Sequence, residues 1–204
     1  MICPEGCTLC LDACPTGAIT RPYKVDLSRC ITNWLWGGFA PAELREKQKN
    51  RLFGCAECVL ACPASANVAP RREYAVATDT VGDSPELIPM LTMDHDYYRK
   101  AIPTFPQQAG IEAMRGNAAI ALGNLGDPSA TEALAKTLGH EDPQLRAYSA
   151  WALGRIGGAT ARAILESALA AETDSKVIGE IRGALAAAGA PLPAVPPSGR
   201  LPFG

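Results

Sequence analysis

A mainly α fold is predicted: a small cysteine-rich module at the amino terminus, followed by a short α-α repeat array. Two observations predict it. All eight cysteines, at 3, 7, 10, 14, 30, 55, 58 and 62, fall in the first third of the 204 residues, and six of them form two runs of one pattern. These runs are Cys7-Thr-Leu-Cys10-Leu-Asp-Ala-Cys14-Pro15 and Cys55-Ala-Glu-Cys58-Val-Leu-Ala-Cys62-Pro63. The cysteine-free remainder repeats itself: Asn117-Ala-Ala-Ile-Ala-Leu-Gly-Asn-Leu-Gly126 aligns with Tyr148-Ser-Ala-Trp-Ala-Leu-Gly-Arg-Ile-Gly157 at an offset of 31, and Ala184, Leu185 and Gly189 echo it at 32. Self-similarity at that period marks stacked helical units, each burying its apolar face on its neighbour.

Composition bounds the function classes. With 48% hydrophobic residues the chain can bury a sizeable core, and a formal charge of −2 gives no general affinity for nucleic acid or anionic membrane. No apolar run approaches the roughly 20 residues of a membrane helix. No signal peptide is visible, and cysteines separated by two residues are poor disulfide partners, so a cytoplasmic protein with reduced cysteines is expected.

Each cysteine run ends in C-x2-C-x3-C-P, the ferredoxin pattern, in which the cysteine before the proline serves the neighbouring cluster rather than its own. Zinc knuckles use paired C-x2-C and have no need of a third cysteine followed by proline. Residues 1–68 are therefore expected to form a ferredoxin-like module with two [4Fe-4S] clusters. By the exchange rule Cys7 and Cys10 take Cys62, while Cys55 and Cys58 take Cys14, with Cys30 completing the second set. Cys3 is left as the fourth ligand of the first cluster, one residue out of the usual spacing. The alternative for Cys3 is a frayed terminal thiol beside a labile or three-iron cluster.

The rest of the chain reads in order. Pro15 to Ile19 is a turn into a short extended segment that Pro22 and Tyr23 continue. The aromatic stretch from Ile31 through Trp34 and Trp36 to Phe39 is expected to pack over the clusters, and a helix begins at Pro41. Arg45, Lys47, Lys49, Arg51, Arg71 and Arg72 form a basic streak, read as a solvated face, with phosphate contact as its functional alternative. Residues 69–110 are a connector with two short helices, entered at Pro85 and Asp94 and stopped by Pro103 and Pro106. His95 is read as a surface residue.

Within 111–189 five helices are expected, at 112–125, 129–139, 143–156, 159–171 and 175–188. Asp127-Pro128 and Asp142-Pro143 open helices, and Gly126, Gly157 and Gly189 close them. Ala119, Ala121, Ala150 and Ala152 allow close helix contact; Leu122, Leu125, Leu153, Ile156 and Leu185 fill the seam. Trp151 is read as core and His140 as a helix-end cap. Residues 190–204, with five prolines, read as a disordered tail.

This order of parts resembles the carboxy-terminal part of the epoxyqueuosine reductase family. The resemblance is carried by the first cysteine run through Ile19, by Arg29-Cys30-Ile31, by Asn50-Arg51-Leu-Phe-Gly54 leading into the second run, and by Arg115-Gly-Asn117-Ala-Ala-Ile-Ala-Leu-Gly-Asn, which opens repeats of the HEAT type. It implies two [4Fe-4S] clusters with the ligand division given above. They feed electrons to a cobalamin that reduces an epoxide on a queuosine-precursor base of tRNA. It also implies that the amino-terminal domain supplying the cobalamin pocket and proton donor is absent, so cobalamin enters only through a separate domain or subunit. Thr32 is then a cobalamin-side contact, in a segment where Thr32-Asn-Trp-Leu-Trp-Gly-Gly replaces the family's hydroxyl- and acid-rich residues.

No catalytic residue is identified. The first functional reading is an electron-transfer piece of such a reductase, with an electron donor protein, a cobalamin-binding domain or subunit and tRNA as partners, and no membrane. The second is a stand-alone electron carrier whose helical repeats dock a partner protein. In a third, the clusters only staple the fold.

Overall fold

The computed structural model describes residues 3–65, 85–102 and 107–187. Arg71, Arg72, Pro103, Pro106, Gly189 and the expected tail lie outside the described residues. In the module, α1 (Leu9–Asp12) and α3 (Glu57–Leu60) are single turns that pack against each other. Between them in sequence lie an antiparallel hairpin of β1 (Ile19–Arg21) and β2 (Lys24–Val25), the helix α2 (Ile31–Leu35) and a 3₁₀ helix over Ala42–Gln48. Pro22 and Tyr23 do not continue the extended segment. They reverse it, because Tyr23 takes a φ of 63°. The helix expected after Pro41 winds as 3₁₀, which aligns residues three apart, and Arg45 and Gln48 are such a pair, both fully buried.

The array contains α4 (Leu87–Thr92), α5 (His95–Ala101), α6 (Ile111–Leu125), α7 (Thr131–Thr137), α8 (Pro143–Ile156), α9 (Gly158–Ala171) and α10 (Ser175–Ala187). Helix α8 is the centre, packed against α6, α7, α9 and α10, and α4 leans on α6 and α7. Asp94, Asp127 and Asp142 cap their helices, accepting from the amides of Tyr97, Ser129 and Gln144 at 2.7, 2.9 and 2.8 Å. Gly126 closes α6 in the left-handed conformation. Gly157 keeps a positive φ with an extended ψ, because α9 starts at the next residue. Leu125 does not fill the seam: it is 45% exposed. Its neighbour Asn124 turns inward, and consecutive helical positions point about 100° apart.

Glycine, more than the expected alanines, sets the helix spacing. A Cβ on Gly123 would lie 2.7 Å from the Trp151 ring and 2.8 Å from Ala152 Cα; on Gly154 it would lie 2.7 and 2.8 Å from Ala184 Cβ and Cα. The two glycines hold the same place in successive repeats. The α6–α8 and α8–α10 contacts are thus built on one rule.

One apolar core runs through both parts. Ile31, Trp34, Leu35 and Leu52 of the module join Met114, Ala118, Leu153 and Ile181 of the array. Of the aromatic stretch, Trp34 is buried in this shared core, with Nε1 donating to Gln48 Oε1 at 2.9 Å, while Phe39 stays half exposed. Polar side chains of the array then grip the module backbone. Asn117 Nδ2 donates to the carbonyls of Leu35 and Leu52 at 2.9 and 3.0 Å, and Asn124 Nδ2 to those of Arg45 and Lys49 at 2.9 Å each. Tyr148 Oη accepts from the Ala40 amide at 2.7 Å, and burial pushes its phenol up to about 12. Glu180 accepts two bonds from Arg45, at 2.8 and 2.6 Å. Asn117, Tyr148 and Glu180 occupy one repeat position, at offsets 31 and 32.

Arg45 is therefore not part of a solvated basic face. Its guanidinium is fully buried, 5.5, 5.0 and 5.6 Å from the rings of Phe39, Tyr148 and Trp151. Lys47 and Lys49 remain exposed, and Arg51 pairs with Glu57. Two measurements check this packing. Gly154→Ala is expected to lower stability by about 1–3 kcal/mol in urea unfolding, because Ala184 backbone cannot move aside. Glu180→Gln leaves Arg45 charged and without its counter-ion, and is expected to cost about 3 kcal/mol in the same assay.

Candidate metal centre

The two cysteine runs build one turn twice, 48 residues apart. Ala13 and Ala61 donate to the carbonyls of Leu9 and Glu57 at 3.0 Å, and Cys14 and Cys62 to those of Leu11 and Val59 at 3.2 Å. Each turn ends because the following proline has no amide to extend it. Since α1 and α3 pack together, the last cysteine of each run is carried toward the other run. Ala56, at φ 57°, bends the chain into α3.

The loop after Cys14 is shaped to donate hydrogen bonds to sulfur. Ala18 N lies 3.2 Å from Cys14 Sγ and Thr16 Oγ1 lies 3.7 Å from it. Burial pushes this thiol up, but the amides of Thr16, Ile19 and Ala18 and the Thr16 hydroxyl together hold it below the ordinary thiol value. Arg29 donates from Nε and Nη2 to the Thr16 carbonyl at 2.9 and 2.7 Å, tying this loop to the residue beside Cys30. Cys30 opens α2, and in that helix Thr32 Oγ1 accepts the Cys55 amide at 3.1 Å. Arg29 and Thr32 thus draw Cys14, Cys30 and Cys55 together. Thr32, the expected cobalamin-side contact, also anchors the loop that carries Cys55. The sequence signal for Arg29 is its place next to Cys30, one of the two cysteines outside the runs.

The cysteines of the two runs feel one another's charge. Burial raises the Cys58 thiol, and the fields of Cys14 and Cys30 raise it further; Cys55 is raised by burial first, with Cys58 adding to it. At the amino terminus Cys3 is raised by burial and then by Cys7, Cys10 and Cys62. The Cys3 amide donates to Tyr23 Oη at 2.7 Å.

All eight cysteines are free thiols in this structure. Among the described residues no three His, Cys, Asp or Glu side chains are drawn close enough together to hold one ion. A four-iron cube places its four thiolates on four different irons, a wider ligand spacing than a single ion needs. The chemistry such a cluster supplies is one-electron transfer.

Comparison with known proteins identifies both parts of the chain. The family of 4Fe-4S double cluster binding domains matches residues 3–65, and HEAT repeats match residues 109–186. This part of the chain is accordingly a domain for two [4Fe-4S] clusters. The chain is 35% identical over 180 residues to epoxyqueuosine reductase of Bacillus subtilis, covering 86% of this chain and 46% of that protein. It is also 35% identical over 180 residues to a Geobacillus stearothermophilus protein from the gldA 3′ region, of which it covers 83%. A crystal structure of epoxyqueuosine reductase with a tRNA-Tyr epoxyqueuosine-modified tRNA stem loop superposes with a TM-score of 0.76 at 31% identity, over 90% of this chain and 50% of that one. The chain thus spans about half the length of the relatives that carry the reductase name. It belongs to the epoxyqueuosine reductase family, matching the part that joins a [4Fe-4S] double-cluster domain to HEAT repeats.

Proposed function

We propose that this chain is the iron–sulfur electron-relay portion of an epoxyqueuosine reductase-type enzyme. In this reading Cys3, Cys7, Cys10 and Cys62 hold one [4Fe-4S] cluster, and Cys14, Cys30, Cys55 and Cys58 hold the other. The observation that carries it is the packing together of two equivalent cysteine turns, each of which ends in C-x3-C-P. Adjacent clusters pass single electrons, and donors aimed at Cys14 Sγ favour the reduced, more negative state of its cluster. The protein's own work is to fix the thiolates, supply those donors and hold the module still. Residues 1–68, 69–110 and 111–189 then serve as cluster domain, connector and repeat support.

A solved relative holds a tRNA stem loop. By that likeness the substrate of the complete enzyme is an epoxyqueuosine-bearing tRNA, and an electron donor protein supplies the reducing equivalents. Cobalamin belongs to this scheme only with a further domain or subunit. Thr32, engaged with Cys55, does not by itself make a site for it. A cytoplasmic setting suits reduced cysteines, and no helix among the described residues is long and apolar enough to cross a membrane.

The stand-alone carrier reading needs a free repeat face for a partner protein. Asn117, Tyr148 and Glu180, one position in three successive repeats, are instead engaged with this chain's own module. That favours the relay. The test is complementation: the chain, co-expressed with the cobalamin half of a relative in a strain lacking the reductase, is expected to restore queuosine in tRNA. Restoration should fail with Cys58→Ser. Lack of restoration while both halves accumulate as folded proteins would contradict the proposal.

A further inference from the structure

Tyr23 stands out among the described residues for what it lacks. It sits at the tip of the β1–β2 hairpin with a φ of 63°, a conformation that costs a bulky L-residue energy and that glycine would accept freely. It is 81% exposed, so burial does not offset the strain. Among the described residues its hydroxyl accepts a hydrogen bond from the Cys3 amide, 2.7 Å away and 20 residues distant in sequence. Strain without packing, held at a residue that reaches one specific group, is the pattern of a positioning role.

The group it reaches is the one that needs help. Cys3 stands one residue outside the usual ligand spacing, behind Pro4, Glu5 and Gly6. Its backbone link to the first cysteine turn is a single bond, from the Cys7 amide to the Pro4 carbonyl at 3.2 Å. The hairpin tip supplies a second anchor, on the other side of Cys3. We infer that Tyr23 is a positioning residue for the first cluster: its hydroxyl holds the terminal segment so that Cys3 faces Cys7, Cys10 and Cys62. This inference rests on the proposed division of ligands, and its test separates the two.

The experiment follows cluster loss from the anaerobically reconstituted full chain on addition of a ferrous chelator, with iron and sulfide analysis and electron paramagnetic resonance of the reduced protein. Wild type is expected to carry about eight irons, by two-cluster stoichiometry. Cys3→Ser should fall to about four irons and replace the spin-coupled spectrum of two clusters by that of one. Tyr23→Phe keeps the ring and loses only the hydroxyl, and is expected to release the first cluster about fivefold faster, the worth of one hydrogen bond. Tyr23→Gly removes the strain as well; it should melt no lower than wild type yet release that cluster as fast as Tyr23→Phe, which a merely structural tyrosine would not do. Unchanged release from both Tyr23 variants, with Cys3→Ser lacking a cluster, overturns the role of Tyr23 and leaves the ligand division standing. Two intact clusters in Cys3→Ser overturn the ligand division and the inference together.

Discussion

The fold depends on one repeated polar contact: a side chain at the same position of each helical repeat reaching across to the cluster module. Asn117 bonds two carbonyls of the module, Tyr148 takes an amide, and Glu180 neutralises a buried arginine. These groups sit over a shared apolar core, where an unmade hydrogen bond is costly, so each must find its partner for the two parts to close. The result fixes direction as well as distance. Asn117 touches both Leu35, at the end of α2, and Leu52, three residues before Cys55. A helix of the array therefore holds the two segments on which Cys30 and Cys55 are mounted.

That arrangement answers a problem posed by the clusters. A four-iron cube accepts thiolates only at its corners, and a short cysteine-rich segment has little core of its own to hold them there. Here Cys14, Cys30 and Cys55 draw on Arg29, Thr32 and the grip of the array, whereas Cys3 is held by the Tyr23 hydroxyl. The two runs match bond for bond in their turns and differ in their support. Their asymmetry is a property of the surroundings rather than of the motif.

Much of this was legible in the sequence. The ten-residue echo at 31 gave the helices of the array to within a few residues, because Asp-Pro starts and glycine stops are local signals. The two-cluster module was readable from the repeated C-x2-C-x3-C-P spacing. What could not be read were contacts set by three-dimensional approach. Arg45 looked like one charge in a streak, yet its 3₁₀ register turns it inward to Glu180. Gly123 and Gly154 were overlooked beside the alanines, since only the helix separation shows that no Cβ fits. Tyr23 read as extended chain because nothing local announces a positive φ at tyrosine. Nor does spacing show that Thr32 accepts the Cys55 amide, a bond between residues 23 apart.

The central claim is that cluster module and repeat array form one cooperative unit joined through Asn117. It is tested most directly by anaerobic urea unfolding of the cluster-loaded chain, following visible absorbance of the clusters and far-ultraviolet circular dichroism of the helices in one titration. Coincident transitions, both shifted to lower urea by the same amount in Asn117→Ala, are the expected result. Loss of cluster absorbance well before the helical signal in the native chain, with Asn117→Ala moving only one of the two, would contradict the account.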